Sequence, residues 1–145
     1  MGVPDAPSRE SVLIVDDDTV FAQVLARALT ARGFAVSCAH DGAGAIAAVR
    51  TGAPHHLVLD LRIGAENGLA LIPQLLAIRP GLRILLLTGY ASIATAVEAI
   101  RRGAHDYLAK PVDADQVAQA LLGVADHEAG VPDPSSPPPL RRLEW

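Results

Sequence analysis

Ser11-Val12-Leu13-Ile14-Val15-Asp16-Asp17-Asp18 sets four consecutive aliphatic side chains directly before three carboxylates. A run this short, apolar and unalternated reads as a strand buried on both faces. The same alternation of elements repeats outward from it. Residues 18–32 carry Val20, Phe21, Val24, Leu25, Ala28 and Leu29 at a helical period and stop at Gly33. A second strand is expected over 34–39 and an Ala-rich helix over 42–50. A third strand spans 56–60. Residues 62–68 read as a loop and 69–78 as a helix that contains Pro73. Residues 82–87 form a nearly all-apolar fourth strand. A helix over 91–102 stops at Gly103, a short strand follows over 106–109, and a last helix over 113–125 has Asp113 as its N-cap. Five βα units with continuous apolar strands predict a parallel sheet covered by helices on both faces, with right-handed crossovers. In such sheets functional groups gather at the carboxyl ends of the strands.

Length and composition fit one domain. The chain has 145 residues, of which 50% are hydrophobic and 19% charged, which excludes long-range disorder for most of it. A net charge of −4 excludes binding to nucleic acid by bulk charge, and 3% aromatics are too few for a base-stacking platform. The single cysteine, Cys38, makes neither an internal disulfide nor a cysteine-rich zinc site, and reads as a small buried hydrophobe. No apolar run has the length of a membrane span, and residues 1–9 lack the basic start and apolar core of a secretory signal, so a cytoplasmic place is expected. The expected organisation is a disordered tail over 1–10, the domain over 11–125 and a Pro-rich linker over 126–145, with five prolines between 131 and 139.

Chemistry is expected where the strands end. The first strand ends in Asp16-Asp17-Asp18, the third in Asp60, the fourth in Thr88-Gly89 and the fifth in Lys110-Pro111. Lys110 is the one lysine among twelve basic residues, which points to a need for a compact ammonium in place of a planar guanidinium. Crowded carboxylates repel, and a hard cation with oxygen ligands relieves them; Mg²⁺ fits, because it takes one or two carboxylates and accepts phosphate oxygens. A remaining carboxylate can attack phosphorus to give an aspartyl phosphate, with the ammonium, the metal and a hydroxyl neutralising the phosphoryl oxygens. Taken singly, each residue reads as a helix cap or a turn; the convergence of all of them carries the chemistry.

The set Asp16-Asp17, Asp60, Thr88 and Lys110-Pro111 resembles the receiver domain of two-component response regulators, over about residues 11–123. The resemblance implies a flavodoxin-like (βα)5 fold with strand order 2-1-3-4-5. It implies that Asp60 is the phosphoacceptor for a cognate histidine kinase and that Asp16, Asp17, Asp60 and the backbone carbonyl of Arg62 hold Mg²⁺. It also implies that Lys110 pairs with the phosphoryl group, that Thr88 is the switch hydroxyl, that Tyr107 turns inward when Thr88 moves, and that the bond to Pro111 is cis. A narrower likeness runs through residues 60–69, 87–97 and 106–115. It is to the redox-responsive global regulators of purple bacteria, the RegA/PrrA/ActR type, which carry a helix-turn-helix domain after a Pro-rich linker. DNA contact is then expected only through an effector domain that this chain does not include. The helix over 91–102, the strand over 106–109 and the helix from 113 correspond to the family's signalling face (α4-β5-α5), a surface for a homodimer, where Arg101, Arg102, Asp106 and Asp115 are candidates for ion pairs between partners.

Two other readings compete. Asp16-Asp17-Asp18-Thr19-Val20 also matches the start of haloacid-dehalogenase-like phosphohydrolases, with Asp16 as nucleophile, Asp18 as acid/base and Thr88 and Lys110 as phosphate binders. That reading leaves Asp60 without a role and lacks a later acidic motif. A receiver fold that never carries phosphate conflicts with the complete set of site residues. The receiver reading therefore predicts a signalling protein and not an enzyme. His55 and His56 read as surface or strand-entry residues, Tyr90 flanks the site, and His40, His105 and His127 show no metal spacing.

Overall fold

A computed structural model of the chain describes residues 10–64, 66–89, 93–110 and 112–130. Its centre is a parallel sheet of β1 (Ser11–Val15), β2 (Ala35–Ala39), β3 (His56–Asp60), β4 (Arg83–Thr88) and β5 (Asp106–Ala109), in the order β2-β1-β3-β4-β5. This is the expected flavodoxin-like order. Five helices accompany it: α1 (Thr19–Ala31), α2 (Gly42–Gly52), α3 (Gly68–Ile78), α4 (Ile93–Arg101) and α5 (Ala114–Gly130).

Alternation along the strands splits the core in two. Leu13, Val15, Leu57, Leu59, Ile84 and Leu86 point to the face covered by α2, α3 and α4, where Val49, Ile72, Leu75 and Ala99 meet them. Val12, Ile14, Val58, Leu85 and Leu87 point to the opposite face, against Ala22, Leu25 and Leu29 of α1 and Val117 and Leu121 of α5. Both faces of the central strands are covered, which is why their sequences read as unbroken apolar runs.

Three local features differ from expectation. The segment after β3 is not a simple loop: Arg62–Ile63 and Glu66–Asn67 form a two-residue antiparallel ladder, with Gly64 at its turn in a left-handed conformation (φ 62°). The last helix runs to Gly130, five residues past Ala125, because nothing between 126 and 129 breaks a helix. Glu10, assigned to the tail, is instead tied to the sheet. Its carbonyl accepts from the Ala35 N–H, and its carboxylate lies 2.5 Å from Nε2 of His56. His56 is the first residue of β3 and is fully buried, so it is a strand-entry residue but not a surface one. Burial holds its imidazole below the usual range, opposed by Glu10. Among the described residues no helix is long and apolar enough to cross a membrane.

Candidate functional site

The order in which strands are added to the sheet reverses between β1 and β3, since β1 leads outward to β2 and the chain then crosses back to β3. Asp16 follows β1 and Asp60 ends β3, so the two carboxylates flank the crevice where such folds bind ligands. One carboxylate oxygen from each of Asp16, Asp17 and Asp60 lies within 4.8 Å of the other two. Asp16 is 1% exposed, and its Oδ1 accepts the Asp18 N–H at 2.9 Å. Asp17 is exposed, and its Oδ2 accepts the Gly64 N–H at 2.9 Å, which anchors the turn after β3 to the end of β1.

Lys110 closes the site from the end of β5. Its Nζ lies 3.2 Å from Asp16 Oδ2 and 3.5 Å from Asp60 Oδ1. The same nitrogen sits 4.6 Å from the centroid of the Phe21 ring on α1. Lys110 is delivered there by its backbone N–H, which donates to the Thr88 carbonyl at 2.8 Å. Thr88 is 1% exposed and lies one residue beyond Leu87, the β4 partner of Asp60, so its hydroxyl belongs to the same edge.

The carboxyl of Asp60 is pushed up to about 6, chiefly by burial and then by the charge of Asp16; the Lys110 ammonium and a hydrogen bond from the Arg62 backbone oppose this. Three carboxylates gathered in a pocket of hard oxygen donors fit a divalent cation of the Mg²⁺ or Ca²⁺ kind. Asp16, Asp17 and Asp60 would hold it.

Asp18 does something else. It is the N-cap of α1, its Oδ1 accepts the Phe21 N–H at 3.0 Å, and it is exposed. The phosphohydrolase reading requires it as an acid/base beside the nucleophile. Its carboxylate is occupied in starting the helix, while Asp60, unexplained by that reading, lies inside the cluster.

Tyr107 is 6% exposed and packed in the core with Ala96, Ala99 and Ala104. Its side chain is therefore placed inward. Three of the four ion-pair candidates on the outer face, Arg102, Asp106 and Asp115, are engaged within the chain. Arg102 pairs with Glu98 at 2.7 Å, Asp115 pairs with Arg32 of α1's end, and Asp106 accepts the Tyr107 N–H. Tyr90 and Pro111 lie outside the described residues, and so does the cis bond expected before Pro111.

Sequence reasoning missed Gly64, Gly68, Phe21 and His40. A Cβ on Gly68 would lie 2.5 Å from the Asp60 carbonyl, so glycine is needed where α3 starts against β3. His40 Nδ1 lies 3.0 Å from the Asp16 carbonyl, to which it donates. The two glycines follow Asp60 closely enough to have been a signal; the other two are visible only once the chain is folded.

Comparison with known proteins gives the family. Residues 12–122 match the family model described as the response regulator receiver domain. The chain is 47% identical over 136 residues to the acid tolerance regulatory protein ActR of Sinorhizobium medicae, covering 94% of this chain and 69% of that one. It is 45% identical over 138 residues to the photosynthetic apparatus regulatory protein RegA of Rhodobacter capsulatus, covering 95% and 74%. Among solved structures it is similar to a response regulator protein from Burkholderia pseudomallei that carries a phosphorylated aspartic acid, a calcium ion and citrate. That likeness has a TM-score of 0.75 at 41% identity and covers 86% of this chain and 75% of that one. The chain belongs to the response regulator receiver domains, regulatory proteins and not enzymes, and within them to the ActR and RegA type.

Proposed function

We propose that Asp60 accepts a phosphoryl group from the phosphohistidine of a cognate histidine kinase. An Asp60 oxygen attacks phosphorus, the P–N bond breaks, and the imidazole leaves and takes up a proton, giving an acyl phosphate. The observation that carries this reading is the clustering of Asp16, Asp17 and Asp60 at the sheet's switch point, with Lys110 bridging two of them. A bound Mg²⁺, held by Asp16, Asp17, Asp60 and the Arg62 carbonyl, supplies charge neutralisation for the phosphoryl oxygens. Lys110, already 3.5 Å from Asp60, pairs with one of those oxygens, and the Thr88 hydroxyl donates to another.

The output is a two-state switch. Thr88 and Lys110 drawn toward the phosphoryl group shift the segment after β4. The inward placement of Tyr107 is then favoured over an outward one, as its burial in the core allows. The face of α4, β5 and α5 then changes, and a homodimer forms through it. Val97, Ile100 and Leu122 are large apolar side chains exposed on α4 and α5, and they supply an apolar contact for that dimer. DNA binding would come through an effector domain outside this chain.

Acyl-phosphate labelling in Mg²⁺, read by intact mass, tests the assignment. Wild-type protein gains one phosphoryl group; Asp60→Ala gains none, and gel filtration shows a dimer only in the labelled wild type. Retained label in Asp60→Ala with loss in Asp16→Asn would transfer the nucleophile to Asp16 and overturn the proposal.

A further inference from the structure

We infer that Phe21 is the positioning residue for Lys110: its ring face holds the ammonium at the Asp16–Asp60 edge and so sets how readily Asp60 takes a phosphoryl group. This rests on the proposed role of Asp60. The contact closes a circuit that begins and ends at Asp16. Asp16 Oδ1 accepts the Asp18 N–H at 2.9 Å, and Asp18 Oδ1 accepts the Phe21 N–H at 3.0 Å. The root of the Phe21 side chain is thereby fixed relative to the carboxylate. The ring lies 4.6 Å from Lys110 Nζ, and that nitrogen returns to Asp16 Oδ2 at 3.2 Å.

A lysine side chain is a flexible stem ending in a compact charge, so its head needs directing. The negative face of an aromatic ring attracts an ammonium without competing for a phosphoryl oxygen as another carboxylate would. Phe21 is partly buried against the α1–α5 side of the core, so the ring is held in place by packing. An aliphatic residue of similar size would fill the same space and lose the attraction.

The sequence makes the test direct, because Lys110 is the chain's single lysine. Untagged protein grown with lysine labelled with ¹³C at Cε gives one lysine signal, whose attached protons feel the ring current of Phe21. That signal should lie upfield of free lysine in the wild type, return toward the free position in Phe21→Leu and Phe21→Met, and be shifted again in Phe21→Trp. Titration with the phosphoryl mimic beryllofluoride in Mg²⁺, followed on the same signal, should show about threefold to tenfold weaker uptake in both aliphatic variants. Uptake should recover in Phe21→Trp, which packing loss alone would not produce. An unmoved lysine signal in the aliphatic variants overturns the inference; so does a moved signal with wild-type uptake. Wild-type protein that takes up neither beryllofluoride nor phosphate overturns the proposed function itself, whatever the lysine signal shows.

Discussion

Asp60 is held between opposing influences, and the balance makes a measurable prediction. Burial and Asp16 raise its carboxyl to about 6, against an ordinary value of 3.8. A raised carboxyl binds its proton more tightly folded than unfolded, so metal-free stability falls as pH rises from about 4 to 6 and stays reduced above that. Asp60→Asn removes the charge and should stabilise the metal-free protein at pH 7.5 by on the order of 1–3 kcal/mol. Urea unfolding in chelator should show that gain shrinking below pH 6 and vanishing near pH 4. A gain that persists unchanged at pH 4 would place its cause elsewhere. Gly68 acts on the same residue from behind. A Cβ there meets backbone oxygens of Asp60 at 2.5 Å and Leu61 at 3.1 Å, and backbone cannot swing aside. Gly68→Ala should cost about 1–3 kcal/mol in urea unfolding. It should also slow phosphoryl uptake, because the start of α3 would push on the acceptor strand.

Helix α3 contains Pro73, five residues from its start, and the helix nonetheless continues to Ile78. Proline has no N–H, so the carbonyl four residues back, that of Leu69, loses its helical partner. Arg102, at the end of α4, donates Nη1 to that carbonyl at 3.1 Å while its Nε pairs with Glu98. A side chain that the sequence marks as a candidate for contact with a partner molecule is thus joining α3 to α4. Arg102→Met should destabilise by about 1 kcal/mol. In a Pro73→Ala background the new N–H reaches Leu69 itself, so the same change should cost roughly half as much. A double-mutant cycle in urea measures the coupling; strict additivity would show that the guanidinium contributes nothing through that carbonyl.

Across the whole molecule, what could be read from the chain is what repeats or ends abruptly. Runs such as Val12–Val15 and Ile84–Leu87 announce strands covered on both sides, and a carboxylate, hydroxyl or ammonium just after each run announces one functional edge. The Gly64 link to Asp17 joins residues 47 apart, and the Arg102 link to Leu69 joins residues 33 apart; no local pattern encodes either. The Phe21 ring over Lys110 was hidden differently, since Phe21 fits the apolar stripe of α1 and reads as ordinary core. The functional edge is also where like charge is concentrated, because one carboxylate oxygen from each of Asp16, Asp17 and Asp60 lies within 4.8 Å of the others. A ligand that binds only the folded state stabilises it by mass action, about 2.7 kcal/mol at a hundred times its dissociation constant. Saturating Mg²⁺ should therefore raise the wild-type melting temperature by several degrees. It should do so far less in Asp17→Asn and Asp60→Asn, each of which removes a charged ligand. The order of stability of wild type and Asp60→Asn should then narrow or invert between chelator and Mg²⁺, which a general effect of ionic strength cannot produce. Equal shifts in all three proteins would mean that the cation is not held by these carboxylates.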